Sequence, residues 1–248
     1  MTLVADSHIS SQVCPPSQLV SAERDAMFEL FSRHFEGFDR DQFERDLAEK
    51  NAVLRLCDHC TGALIGFSTM LVYETRSFDG DPISVVCSGD TIVDPSAWSS
   101  AALPREWIAA VKRLRRSYPN GPYYWLLLTS GFRSYRLLST FWRTFYPRFG
   151  APMPGEQQRL LDHLARERFG GAYDAASGIV RFSCPQRLQP HLAGIPESRL
   201  DDPHVAFFAD RNPEHPFGDE LVCLCELDDA NLTRAGRRMV FGAESRER

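Results

Sequence analysis

No stretch of this chain is apolar over the roughly 20 residues that a membrane-spanning helix needs. The longest apolar run, Tyr123 to Leu128, has only the length of a strand. The first eighteen residues, MTLVADSHISSQVCPPSQ, lack the basic segment and apolar core of a secretory leader. A glycine-rich P-loop, a Gly-x-Ser-x-Gly elbow and a His-Glu-x-x-His helix are all missing, and with them the signatures of three large enzyme classes. There are no internal repeats and no low-complexity tract. The seven cysteines, an odd count, are scattered through apolar segments, which predicts free thiols in a reducing compartment, the cytoplasm. Cys57 with Cys60, and Cys223 with Cys225, have the spacing of two half zinc sites. Alternate cysteines on a strand more simply share one face, and the first pair flanks a turn, so no metal is expected.

Acidic residues are nearly absent from one segment. Between Ala101 and Gly150 nine Lys and Arg face a single acid, Glu106, so this stretch carries +8 and the rest of the chain −13. Such asymmetry points to an anionic partner or to solvated basic helix faces. Nucleic acid is a poor candidate for that partner, because the whole chain is acidic at −5 and its Phe, Trp and Leu are needed for a core.

What is present is enough for a large core, with 43% hydrophobic residues in 248. Residues 1–18 read as a flexible arm. Met27, Leu30, Phe31 and Phe35 recur at helical spacing behind Ser21, which reads as the cap, and a second helix follows from Asp39 to Lys50. Ala52–Cys57 and Ala63–Val72 form a hairpin, and Ile83–Val93 is a third antiparallel strand after the turn Phe78–Pro82. A small-residue stretch leads to Pro104, suited to a first helical turn, and that helix runs to Tyr118. Tyr123–Thr129 is apolar on both faces, as in a central strand covered by helices on both sides. A helix over Phe132–Tyr146 and another over Gly155–Phe169 follow. Then come a short strand over Ile179–Phe182, a long loop over 184–220 and a final strand over Leu221–Leu227. This is an α+β, or mixed α/β, pattern.

The element order from Ser21 to Tyr146, with Val93 and Pro95 in Ile92-Val93-Asp94-Pro95-Ser96-Ala97-Trp98-Ser99-Ser100-Ala101, resembles the GNAT superfamily of N-acyltransferases. The resemblance implies a central antiparallel or mixed sheet in which two neighbouring strands, ending near Val93 and Thr129, splay apart to admit a thioester arm. It implies a GNAT-like core over 19–150, with residues 151–248 as an extension that completes the sheet and the acceptor pocket. The donor would be acyl-CoA or an acyl-phosphopantetheine on an acyl carrier protein, and the acceptor a primary amine of a small molecule or amino acid. A catalytically degenerate module that binds CoA, an acyl carrier or a protein partner is the alternative. Trp98 stands where the family has Arg or Gln, and Ser99, Ser100, Ala101 and Ala102 replace its glycines, so positive φ is lost in the phosphate turn.

Carried over residue by residue, the backbone N–H of Ile92 or Val93 would meet the thioester carbonyl. Asp90 would take the amine proton, with Glu74 as second candidate, unless Asp90 merely sits at a β-bulge marked by Gly89. Tyr135 or Ser130 would protonate the leaving thiolate; Tyr135 has packing among Phe132, Leu138 and Trp142 as its plain alternative. Arg105, Arg133 and Arg136 are candidates for phosphate. Lys112, Arg113, Arg115 and Arg116, at the far end of their helix, would be a docking surface or solvated charge.

Overall fold

The computed structural model describes residues 8–244. The chain begins as strand β1 (Ile9–Cys14), helix α1 (Ser21–Ser32), β2 (Phe35–Glu36), α2 (Arg40–Ala48), β3 (Ala52–Asp58), β4 (Leu64–Arg76) and β5 (Pro82–Val93). It continues through α3 (Ala102–Leu114), β6 (Tyr123–Thr129), α4 (Phe132–Phe141), α5 (Gly155–Phe169), β7 (Tyr173–Asp174), β8 (Ile179–Val180) and β9 (Arg187–Leu188). The last elements are α6 (Pro190–Ala193), α7 (Pro203–Arg211), β10 (Glu220–Glu226) and α8 (Arg234–Glu244). No helix among the described residues is long and apolar enough to cross a membrane.

Eight strands form one sheet in the order β1-β3-β4-β5-β6-β10-β8-β7, and β2 with β9 forms a separate two-stranded ribbon. Every neighbouring pair in the large sheet is antiparallel except β5 and β6, which α3 connects in parallel. This is the mixed α+β sheet anticipated from the sequence. One face buries α3, α4 and α8 around Trp107, Trp125 and Trp142, whose rings sit 4.3 to 6.2 Å apart. The other face buries Phe31, Phe43 and Leu47 of α1 and α2, and Leu160, Leu161 and Leu164 of α5. β6 is buried on both faces because helices cover it on both sides.

The two strands at the centre do part. The β5–β6 ladder runs from Ser84–Tyr123 to Ser88–Leu127, after which β5 continues to Val93 bonded only to β4. At the point of parting, Gly89 and Asp90 oppose the single residue Thr69, a β-bulge. A Cβ at residue 89 would lie 2.5 Å from Thr69 Oγ1 and 2.8 Å from Lys50 Cε, so any side chain there would displace these two neighbours. β6, abandoned by β5, is paired along its other edge with β10 from Leu221–Thr129 to Glu226–Tyr124.

Several local expectations differ from the structure. Residues 9–14, assigned to a flexible arm, form an edge strand in full register with β3; residues 1–7 of that arm lie outside the described residues. Val20, not Ser21, precedes the first turn of α1, and the Glu23 carboxylate accepts its N–H at 3.0 Å. α4 ends at Phe141, because Trp142 turns extended to bridge Leu232. The stretch 184–220 is not a plain loop. It holds β9, α6 and α7, the last started by Pro203 behind the capping carboxylate of Asp202. The cysteines of the two half zinc sites lie on β3 or its turn and on β10, with β4, β5 and β6 between them, so they do not assemble.

Gly121 has φ +61° and turns against β5, where a Cβ would come within 1.7 Å of the Pro82 carbonyl oxygen. Gly121→Ala should therefore cost about 3 kcal/mol, adding a left-handed backbone penalty to overpacking. Gly62→Ala, with φ +71° but open space around it, should cost only about 1 kcal/mol. Urea denaturation of the two variants checks the difference.

Candidate active site

The antiparallel ladder decides which backbone groups of β5 face the opening. Asp94 N–H bonds the Ile65 carbonyl at 2.8 Å, so by alternation the Ile92 N–H also turns to β4. Thr91 and Val93 therefore turn their N–H groups the other way, toward the parting. Of the two residues proposed to meet a thioester carbonyl, Val93 has the right direction and Ile92 does not; the Ile92 side chain is buried against α1 and α2.

On the α3–α4 face the parting opens as a narrow apolar crevice of about 20 Å³, lined by Thr91, Leu103, Trp107, Leu127, Ser134 and Leu137 among others. Its polar groups are few: the Thr91 hydroxyl lies 2.8 Å from that of Ser68, and the Trp125 indole N–H donates to Ser88 Oγ at 2.8 Å. Tyr135 is not among its walls. Tyr135 is 0% exposed, its hydroxyl donates to the Pro147 carbonyl at 3.0 Å, and its ring packs on Phe145 and Phe208. Desolvation raises its pKa beyond any useful range, so the residue on α4 that faces the crevice is Ser134, one position earlier. Ser130, 7% exposed, sits in the β6–α4 turn, outside the crevice lining, where His215 hydrogen-bonds its backbone.

The turn after β5 is rebuilt around Trp98. Its indole N–H donates to the Val93 carbonyl at 2.8 Å, and His34 Nε2 reaches the same oxygen at 3.1 Å. Trp98 remains 42% exposed, and the Arg133 guanidinium stacks 4.3 Å above its ring, spanning the mouth from β5 to α4. Ser100 Oγ accepts the Ala102 N–H at 3.0 Å, so one amide at the start of α3 already has a partner. Ser99 and Ala101 complete this turn, and Ala102 is buried.

The three arginines proposed for phosphate divide sharply. Arg105 pairs with Glu106 at 3.0 Å and Arg136 with Asp202 at 3.2 Å. Arg133 has no carboxylate partner among the described residues, and burial and Arg199 both push its pKa down. Of the distal basic cluster, Lys112 pairs with Asp229 at 2.9 Å and Arg115 donates to the Tyr118 carbonyl at 2.6 Å. Much of the +8 segment is thus answered from within the chain.

On the opposite face the same parting meets carboxylates. Asp90, half-buried at the bulge, has a pKa raised to about 6 by desolvation and the Asp46 charge, against the pull of Lys50. Glu220, the first residue of β10, is raised to about 8 by desolvation and by Asp90. Glu74 is elsewhere, accepting from Asn120 at 2.6 Å. A strap roofs this side. Residues 187–188 pair with β2, Gln189 N–H donates to the His34 carbonyl at 2.8 Å, and Gln186 Nε2 donates to Asp46 at 3.1 Å. The strap's other flank lies on Gly218, whose Cβ position is 2.6 Å from Pro185 Cβ, and Leu188 reaches over Gly131.

Sequence reasoning missed Glu220, Lys50, Thr69 and Ser134. Glu220 heads an alternating strand, and Ser134 adjoins the tyrosine chosen instead; nothing local marks Lys50 or Thr69.

Two measurements follow from this geometry. Tyr135→Phe should cost about 1 kcal/mol of stability by losing one buried hydrogen bond, and should leave any ligand affinity at the crevice unchanged. Glu220 binds its proton more tightly folded than unfolded, so its contribution falls as pH rises toward 8. Glu220→Gln should therefore gain stability relative to the parent between pH 5 and 9, read as a rising difference in Tm.

No family model matches the chain, and no curated protein matches it by sequence. Among solved structures it is similar to a conserved protein of unknown function from Enterococcus faecalis V583, at 17% identity and TM-score 0.40 over 55% of this chain and 33% of that one. It is similar to an acetyltransferase of Trypanosoma brucei, at 17% identity and TM-score 0.37 over 58% of this chain and 99% of that one. A GCN5-related N-acetyltransferase from Kribbella flavida gives 12% identity and TM-score 0.40 over 54% and 34%. The chain thus spans about a third of the length of the Enterococcus and Kribbella proteins. The strand order, the parted β5 and β6, and the helix starting across their mouth stand on this chain's own register, and they give the mixed sheet with two splayed central strands that was expected.

Proposed function

We propose that the protein is an N-acyltransferase that moves an acyl group from a phosphopantetheine thioester, as acyl-CoA or on an acyl carrier protein, to a small primary amine. One observation carries this reading. The sheet opens between β5 and β6 with an apolar crevice on one face and a carboxylate pair on the other. The thioester arm lies along the mouth of the parting on the α3–α4 side, only its acyl end reaching the narrow crevice, and its carbonyl oxygen lies against the outward N–H of Val93. Arg133, at the mouth, takes a phosphate of the arm. The amine approaches under the strap from the α1–α2 side. Asp90 accepts its proton, nitrogen attacks the thioester carbon, and the C–N bond forms as the C–S bond breaks. The thiolate leaves on the crevice side, where the Ser134 hydroxyl relays a proton to it.

Two carboxylates whose environments separate their pKa values suit this division of labour. At neutral pH Asp90 is ionised and ready to accept a proton, while Glu220 stays protonated beside it. A second reading, a donor-binding module without turnover, is favoured by Trp98 and His34 holding the Val93 carbonyl and by the narrowness of the crevice.

Release of free thiol from acyl-CoA in the presence of an amine panel tests the proposal. Turnover should fall as pH drops through about 6, where Asp90 gains its proton. Asp90→Asn should reduce kcat by a factor on the order of 10²–10⁴. Stabilisation by CoA, with no thiol released for any amine or acyl chain, would establish the binding module instead.

A further inference from the structure

The acceptor side holds more than a base. Thr69, opposite the bulge, is 0% exposed, and its hydroxyl has no hydrogen-bond partner. It points at Gly89, where the Lys50 side chain also lies, with Cε 2.8 Å from the position a Cβ would take. Lys50 has no carboxylate within ion-pair distance among the described residues, although its charge is felt at Asp90. A buried hydroxyl without a partner and a cation without a contact partner thus converge on Gly89, and the carboxylate of Asp90 belongs to the next residue. Adjacent residues are 3.8 Å apart along the backbone. A ligand meeting both must therefore carry opposite charges separated by only a few bonds.

We propose, on the acyl-transfer reading above, that the acceptor is a small zwitterion of the α-amino acid class. Its ammonium lies against Asp90, with Glu220 beyond. Its carboxylate lies on the Lys50 ammonium and the Thr69 hydroxyl. The strap from Pro185 to Gln189, tied to both α1–α2 and the turn before β10, limits the acceptor to a free amino acid rather than a residue within a folded polypeptide. Glycine at 89 is what lets Lys50 lie flat over the bulge.

The experiment compares amino acids with their decarboxylated amines, for example phenylalanine with phenethylamine and alanine with ethylamine, as acceptors for acetyl-CoA and longer acyl-CoAs. Amino acids should give the higher kcat/KM. Lys50→Met should narrow the ratio between each pair roughly tenfold, the size of one charge-assisted hydrogen bond. Thr69→Val should narrow it in the same direction. A panel in which the simple amines match or exceed the amino acids, or variants that leave the ratio where it was, would overturn the assignment. If no acceptor is acylated, the transfer reading fails by itself. Calorimetric titration of the same amino acids into the donor-free protein then decides the site separately. Binding that Lys50→Met weakens supports it, and absence of binding refutes it.

Discussion

The separation of β5 from β6 is the constraint from which the rest of this molecule follows. A strand that leaves its neighbour exposes backbone donors and acceptors that must find other partners. β5 keeps its bonds to β4 on one edge and turns Thr91 and Val93 toward the opening on the other. Trp98 and His34 take the Val93 carbonyl. β6 is held along its other edge by the full ladder to β10, which arrives from almost a hundred residues later in the chain. The bulge at Gly89–Asp90 sets where the departure begins, and its first residue leaves room for the Thr69 and Lys50 side chains.

The same departure explains the placement of charge. Of the basic stretch 101–150, Arg133 stands at the mouth of the opening, and the acidic extension supplies carboxylates to two others, Asp202 to Arg136 and Asp229 to Lys112. The asymmetry seen in the sequence is therefore in part internal complementarity between halves of one chain. What survives this neutralisation is local. Arg133, stacked on Trp98 and Phe132, has no carboxylate partner among the described residues, and neither has Lys50 on the far face.

The elements from α1 to β6 were legible because each is short-range. Apolar spacing at Met27, Leu30 and Phe31, turn residues at Gly62 and Gly80, and the doubly apolar Tyr123–Leu128 all act within a few residues. The splay itself was legible only through resemblance, since nothing in the residues of β5 forbids a longer ladder. Tyr135 and Ser134 show the limit well. Both lie on α4, one position apart, and a single step of 100° around the helix decides that Ser134 faces the crevice while Tyr135 is packed against Phe145 and Phe208. Asp90 was recognisable from Gly89 beside it. Glu220, Lys50 and Thr69 were not, because each reaches the opening from a different strand or helix end, and their proximity is a property of the sheet.

Trp98 ties these observations together. The family-like turn would use small residues at positive φ to let phosphate approach the backbone, and this chain has none there. Instead a large aromatic side chain holds the end of β5 through the Val93 carbonyl and supports Arg133 by stacking. The cation at this mouth is thereby the Arg133 guanidinium, held over the ring beneath it. Trp98 thus joins the end of β5 to the start of α4 across the mouth, where no ladder connects β5 with β6.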